Sequence, residues 1–292
     1  MRTVVITIAH GRHDHLERQR EALARSSAAV HHHVVVAMDD PTLVARLQRT
    51  PRTRVVALPA ERAGLPLAAA RNAGAEAALE LGAELLIFLD VDCLPGEGLV
   101  AAYRDAARDP ATAGSLLCGP VAYLPPPDAG GYDLGRLNEV VPHDGRPAPG
   151  PGERLENGDP RLFWSLSFAV TPAVWADTGG FHEHFVGYGA EDTDFGFTAA
   201  AAGIPLTWVG GATAYHQWHP TQVPPLGHLD DILRNGAIFA RRWGWWPMEG
   251  WIDAFADRGL IHWDTTEETY VRSPTSEHHH AHGPSAVRSA GR

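Results

Sequence analysis

Short runs of β-branched residues alternate with stretches whose apolar residues recur at helical spacing, and this alternation constrains the chain's fold more than any other feature. TVVITIA (residues 3–9) and HVVVAM (33–38) read as strands, with DHLERQREALARS between them as an amphipathic helix. A second round follows: PTLVARLQRT as a short helix, RVVALP as a strand, and LPLAAARNAGAEAALELG as a helix stopped at Gly82. ELLIFLDVD is then a continuously apolar strand that ends in acid. Strands apolar on both faces and separated by helices predict a mostly parallel α/β sheet covered by helices. Such sheets bind ligands at the carboxyl ends of their strands.

The later segments are mixed. GEGLVAAYRDAARD predicts a helix and SLLCGPVAYL a strand, and residues 125–160, rich in Pro and Gly, form a long loop of the kind that is usually functional. LFWSLSFAVTPAVWADTGGF reads as a strand and short helix, EDTDFGFTAAAAG as a helix, PLTWVGG as a strand, and ATAYHQWH as its extension. Two helices, GHLDDILRNGAIFARRWG and MEGWIDAFADRG, carry Trp243, Trp245, Trp246 and Trp251 within and between them. The expected organisation is a nucleotide-binding and catalytic domain over 1–220, a helical Trp-rich extension over 221–264, and a disordered Ser/His/Pro/Gly-rich tail over 265–292.

Composition narrows the function. A formal charge of −11 lacks the Lys/Arg surplus that binds phosphate backbones, which disfavours a nucleic-acid partner. No run approaches the ~20 apolar residues of a membrane span, and the N-terminus lacks a signal-peptide pattern, so a cytoplasmic protein is expected. Cys93 and Cys118 form no paired metal spacing and read as buried small hydrophobes. The His-rich stretches at 31–33 and 278–282 are expected to bind metal only adventitiously.

Two acidic clusters carry the chemistry. Asp90 and Asp92 stand two residues apart at the end of a strand, where their carboxylates can converge on a hard divalent cation. Asp39 and Asp40 follow the second strand and can accept from a base or ribose, while Arg71 in AAARNAG can meet phosphate. The second cluster, GYGAEDTDFGF, packs Glu191, Asp192 and Asp194 behind Gly187 and Gly189, glycines that permit positive φ and close approach of a ligand. Tyr188 and Trp164 are candidate ligand-stacking rings.

The ordered succession ITIAHGR, MDD, AAARNAG, FLDVDCLP, GGFHEHFVGYGAEDTDFG and AYHQWH, spread over residues 3–219, resembles the GT-A fold glycosyltransferases, particularly family 2 and the galactosyltransferase-like group. The resemblance implies a Rossmann-like sheet and transfer of a hexose from a nucleotide diphosphate sugar, UDP favoured, to an acceptor hydroxyl on a saccharide, glycolipid or small molecule. It implies that Asp92 ligates the metal and Asp90 contacts ribose or metal-bound water. Thr7, Ala9 and Arg12 would then frame the base, Asp39 would recognise uracil or ribose, and Arg71 would lie near the nucleotide. His216 is the expected second metal ligand, with His219 as its substitute, and the mixed Asp/His set favours Mn²⁺ over Mg²⁺. In inverting members the Asp of the ED turn is the base. That residue is Asp192 here, with Glu191 binding a hydroxyl and Asp194 facing the start of its helix. Crowding by Glu191 and Asp194 is expected to raise the proton affinity of Asp192.

Other readings are a nucleotidyltransferase acting on sugar phosphates, whose glycine- and lysine-rich N-terminal signature is absent, and a non-catalytic carbohydrate-binding protein, which needs no pair of acidic clusters. The DFG triplet at 194–196 lacks every companion motif of a protein kinase.

Overall fold

A computed structural model describes residues 1–60 and 64–274. In chain order the strands are β1 (Thr3–Ala9), β2 (His32–Met38), β3 (Thr53–Leu58), β4 (Leu85–Leu89), β5 (Cys93–Pro95), β6 (Leu116–Cys118), β7 (Val121–Tyr123), β8 (Arg154–Leu155), β9 (Ser167–Val170), β10 (Leu206–Val209), β11 (Ala214–His216), β12 (Ile261–Asp264) and β13 (Thr269–Arg272). The helices are α1 (His13–Ala24), α2 (Pro41–Leu47), α3 (Leu67–Glu80), α4 (Leu99–Arg108), α5 (Pro172–Thr178), α6 (Glu191–Ala201), α7 (Leu229–Trp243) and α8 (Glu249–Asp257).

Eight strands form the central sheet in the order β3-β2-β1-β4-β9-β6-β10-β8. The β3-β2-β1-β4 half is parallel, as the strand and helix alternation predicts, and β9 runs antiparallel between β4 and β6. The pleat of β1 sorts its side chains. Val4, Ile6 and Ile8 face α3 with Val34, Val36 and Met38, whereas Ala9 packs on the opposite side with Leu16, Val35 and Leu43.

Two expectations change. SLLCGPVAYL is two strands, because the chain leaves the main sheet after Cys118 and re-forms as β7 in a second sheet of order β5-β11-β7. AYHQWH is likewise no extension of β10 but the middle strand of that small sheet, paired with β5 so that His216 stands opposite Cys93. This crossover carries the DVD turn and AYHQWH to one place.

The Trp-rich segment has its own cluster of Leu229, Ile232, Ile252, Phe255 and Ile261, and Trp243 and Trp245 pack against Phe197 of α6. The boundary expected near Thr265 falls inside a β12-β13 hairpin; the part of the expected disordered tail beyond Pro274, with the 278–282 His run, lies outside the described residues. No helix among the described residues is long and apolar enough to cross a membrane.

Candidate active site

A cleft of about 500 Å³ opens at the carboxyl ends of β1 and β4, floored by the DVD turn and walled by the start of α6. Asp90 and Asp92 both line it, but they have different partners. Arg71, rising from α3 and almost fully buried, donates from Nη2 to Asp90 Oδ1 at 3.1 Å and from Nη1 to Glu191 Oε1 at 3.4 Å. Its guanidinium rests over Phe181, itself stacked on Phe195 in the aromatic core. One cation therefore joins the two acidic clusters. The neighbouring Asn72 donates to the Phe181 carbonyl and accepts from the Phe181 amide, so the ARN segment also holds the chain leading into the acidic turn.

Asp92 faces His216 and His219, with each Nε2 3.6 Å from one of its oxygens, and Arg12 Nη1 3.5 Å away. Ligand atoms of Asp92, His216 and His219 lie within 4.8 Å of one another. His219 thus stands beside His216 against Asp92. The small sheet explains the convergence: β11 pairs with β5, and the Gln217 amide donates to the Asp92 carbonyl. Asp92 Oδ1 is buried without a hydrogen-bond partner among the described residues, an arrangement costly for a carboxylate unless a cation completes it. One carboxylate and two imidazoles suit Mn²⁺ better than Mg²⁺. Gln19 of α1 fixes the turn from below by donating to the Asp90 and Cys93 carbonyls.

The electrostatics divide the acids. Burial raises Asp90 to about 6 despite the opposing pull of Arg71. Burial would raise Asp92 too, but His219, His216 and Arg12 outweigh it and hold that carboxyl below its usual value. Burial pushes Glu191 up to about 7, with Asp192 adding to the rise, and Asp192 is raised chiefly by burial. Helix α6 begins after Ala190, at φ 70°, with no side-chain cap, so its open N–H groups face these carboxylates. Asp194 plays no part in the crowding. It is buried away from the cleft, accepting from Arg242 Nε at 2.7 Å and Trp243 Nε1 at 2.8 Å of α7.

Helix α7 is the element that composition alone leaves without a role. Asn235, fully buried, donates from Nδ2 to the carbonyls of Val186, Tyr188 and Gly189, and Asp231 accepts from the Tyr188 amide. With Arg242 and Trp243 on Asp194, one helix grips both ends of the acidic turn. Gly187 and Gly189 have φ of 73° and 98°, as expected, but the space beside them is filled: a Cβ would strike Asp231 at Gly187 and Met248 Sδ at Gly189. Close packing of the C-terminal segment, rather than room for a sugar, requires these glycines.

Trp164 and Tyr188 both line the cleft. Tyr188 stacks between His228 and Trp251, and Trp251 and Met248 reach the cleft from the C-terminal segment. Behind Trp164, Arg146 of the long loop lies 4.7 Å from the ring centroids of both Trp164 and Trp208, its three side-chain nitrogens buried without hydrogen-bond partners among the described residues.

Arg12 lines the cleft, but Thr7 and Ala9 do not. Thr7 donates to Gln19 and meets His33 in the interior, and Ala9 is core. The alternation of β1 instead sends Ile8 and His10 to the cleft, where Met38, Leu65 and Leu67 join them. Asp39 is exposed and outside the cleft lining, and Asp40 caps α2 while accepting from the Gly11 amide and His13. The paired acids of MDD are thus a loop end and a helix cap.

This sheet, with its two acidic turns at one cleft, has the GT-A architecture, and solved structures share the fold. GalNAc-T7, solved with UDP, GalNAc and Mn²⁺, superposes with a TM-score of 0.54 at 15% identity, over 75% of this chain and 43% of that one. TarS residues 1–349 from S. aureus, in complex with UDP-GlcNAc, gives 0.54 at 13% identity over 88% and 80%. Among sequence relatives, the chain is similar to validoxylamine A glucosyltransferase of Streptomyces hygroscopicus subsp. jinggangensis (strain 5008), 30% identical over 217 residues, 66% of this chain and 50% of the relative. The subsp. limoneus enzyme of the same name is 30% identical over 228 residues, 70% and 49%. The chain spans about half the length of these curated relatives. No protein-family model matches it.

Proposed function

We propose that the protein is a metal-dependent, inverting glycosyltransferase that moves a hexose from a UDP-sugar to an acceptor hydroxyl. The observation that carries this reading is one cleft lined by Asp90, Asp92 and the raised Glu191–Asp192 pair, with Arg71 between them and His216 and His219 grouped on Asp92. The UDP complexes of GalNAc-T7 and TarS support the donor, and the glucosyltransferase relatives support a hexose.

Asp92, His216 and His219 would hold a Mn²⁺ ion, whose chemistry there would be neutralisation of charge on the departing diphosphate. Asp192 takes the proton from the acceptor hydroxyl as its oxygen attacks C1 of the donor sugar. The C1–O bond to the diphosphate breaks, its electron pair leaving with UDP, and attack from the opposite face inverts C1. Glu191 accepts from a sugar hydroxyl. Arg71 keeps Asp90 and Glu191 fixed and offsets their charge. Trp164, Tyr188 and Trp251 offer flat apolar faces to a pyranose or cyclitol ring.

The test is incubation with UDP-glucose, UDP-galactose, UDP-GlcNAc and UDP-GalNAc plus Mn²⁺, with and without validoxylamine A. UDP release supports the reading. Pyrophosphate release from a nucleoside triphosphate and sugar phosphate would instead mark a nucleotidyltransferase, and binding with no turnover a carbohydrate-binding protein.

A further inference from the structure

We infer that Arg146 is a positioning residue for the donor sugar: held between Trp208 and Trp164, its guanidinium fixes the Trp164 ring as the platform on which the hexose of the UDP-sugar rests. The inference rests on the glycosyltransferase reading above and adds the residue that sets the platform.

The segment around Arg146 is a fixed wall, although its loop is rich in Pro and Gly. Ahead of it, the His143 amide donates to the Val121 carbonyl at 2.8 Å. Beyond it, the Gly210 amide donates to the Glu153 carbonyl at 2.9 Å, and β8 pairs with β10. Between these anchors Arg146 turns inward and is only 4% exposed. Its guanidinium carbon lies 4.7 Å from each of two ring centroids, that of Trp208 on the core strand β10 and that of Trp164 on the cleft wall. A ring locked in the core is thereby tied to a ring that can meet ligand.

Packing alone does not call for a guanidinium here. Nε, Nη1 and Nη2 have no hydrogen-bond partner among the described residues, and burial pulls the side chain's pKa below the usual arginine value. Two indole faces offset only part of the cost of burying such a charge, and an apolar side chain of similar volume would avoid that cost. What the apolar chain lacks is a planar cation that stacks on both rings and so holds Trp164 in one orientation.

A second contact places Trp164 on the Asp92 side of the cleft. His143 meets it edge-on at 5.5 Å between centroids, Tyr123 lies 5.5 Å from His143, and His216 lies 4.9 Å from Tyr123. Tyr188 and Trp251 stack on each other at the opposite end, where the C-terminal segment reaches the cleft. Trp164 therefore stands where the sugar of a diphosphate seated at Asp92 begins, and the other two rings are left to the acceptor. A ring already fixed in place binds without the entropy cost of ordering it.

The test is calorimetric binding, with Mn²⁺, of UDP and of the UDP-sugar in the panel above that the wild type turns over. It uses the wild type, Arg146→Met, Trp164→Ala and the double variant, with a urea midpoint for each. Arg146→Met should weaken UDP-sugar binding about three- to tenfold and leave UDP affinity within about twofold, because only the sugar meets Trp164. Its urea midpoint should equal or exceed that of the wild type, since a buried unpaired charge is gone. Trp164→Ala should lose at least as much UDP-sugar affinity, and adding Arg146→Met to it should cost nothing more, as required of a residue that acts through Trp164. Unchanged UDP-sugar affinity in Arg146→Met, a parallel loss of UDP affinity, or a further loss in the double variant overturns the assignment. So does a midpoint well below the wild type's, which would make Arg146 a residue of the fold. Each of these leaves the glycosyltransferase reading standing, whereas a wild type that turns over no UDP-sugar removes both.

Discussion

Arg71 donates to Asp90 at 3.1 Å while its other terminal nitrogen reaches Glu191 at 3.4 Å, so the acid of the DVD turn and the acid of the GYGAED turn share one buried cation. Replacing Arg71 by Met should therefore damage both. Removing one partner of a buried ion pair costs about 3–5 kcal/mol, which a urea midpoint will report. UDP-sugar turnover should fall with it. Arg71→Lys, with a point charge in place of a fork, should recover part of the stability and little of the activity.

The raised carboxylates predict opposite effects on stability and rate. A carboxyl with a raised folded-state pKa binds more protons folded than unfolded, so its contribution to stability falls as pH climbs from the ordinary carboxylate range toward the raised value. Glu191→Gln should raise Tm at pH 8 by roughly 2–6 °C, with a smaller gain at pH 5, while turnover drops. In the wild type the base must be ionised, so turnover should rise with pH through a midpoint above the ordinary carboxylate range. In Glu191→Gln that limb should stay near its wild-type position, because Glu191, raised by the Asp192 charge, is itself uncharged while Asp192 ionises.

His216 and His219 should matter comparably. Alanine at either position is expected to weaken Mn²⁺ binding, followed by electron paramagnetic resonance, by at least about tenfold. Chelation should lower the Tm of the wild type through loss of linkage. A His219→Ala protein with unchanged Mn²⁺ affinity would reduce the ligand set to Asp92 and His216.

Asn235 lies outside the cleft yet donates to three carbonyls of the turn before Glu191. Asn235→Leu keeps the volume and removes the donors. The expected outcome is a kcat reduced about 100-fold with UDP affinity changed less than about threefold. A purely structural role would instead lower Tm and leave the kcat of the folded fraction intact.

Much of this was legible in the sequence where local pattern governs. The strand and helix alternation led to the parallel half of the sheet, DVD and GYGAED marked acids that line one cleft, and AYHQWH marked two histidines that stand against Asp92. What was illegible depended on pleat and crossover. Choosing Thr7 and Ala9 over Ile8 and His10 is an error of one face, and β1, apolar on both sides, offers no polar alternation to prevent it. His10, two residues from Ile8, was recoverable from the period of a strand. The grip of α7 on the turn, through Asp231, Asn235 and Arg242, spans more than 40 residues of chain and has no local signature. Arg146 under Trp164 belongs to the same class, since a loop rich in Pro and Gly gives no sign of which side chain it buries.

The most direct test of the account compares the wild type with Asp192→Asn in UDP release with Mn²⁺, using the UDP-sugar and acceptor that the wild type turns over. Transfer should fall by about 10²–10⁴-fold while UDP and Mn²⁺ affinities stay within about threefold of wild type. Undiminished transfer by Asp192→Asn would contradict the central claim that this carboxylate takes the acceptor's proton.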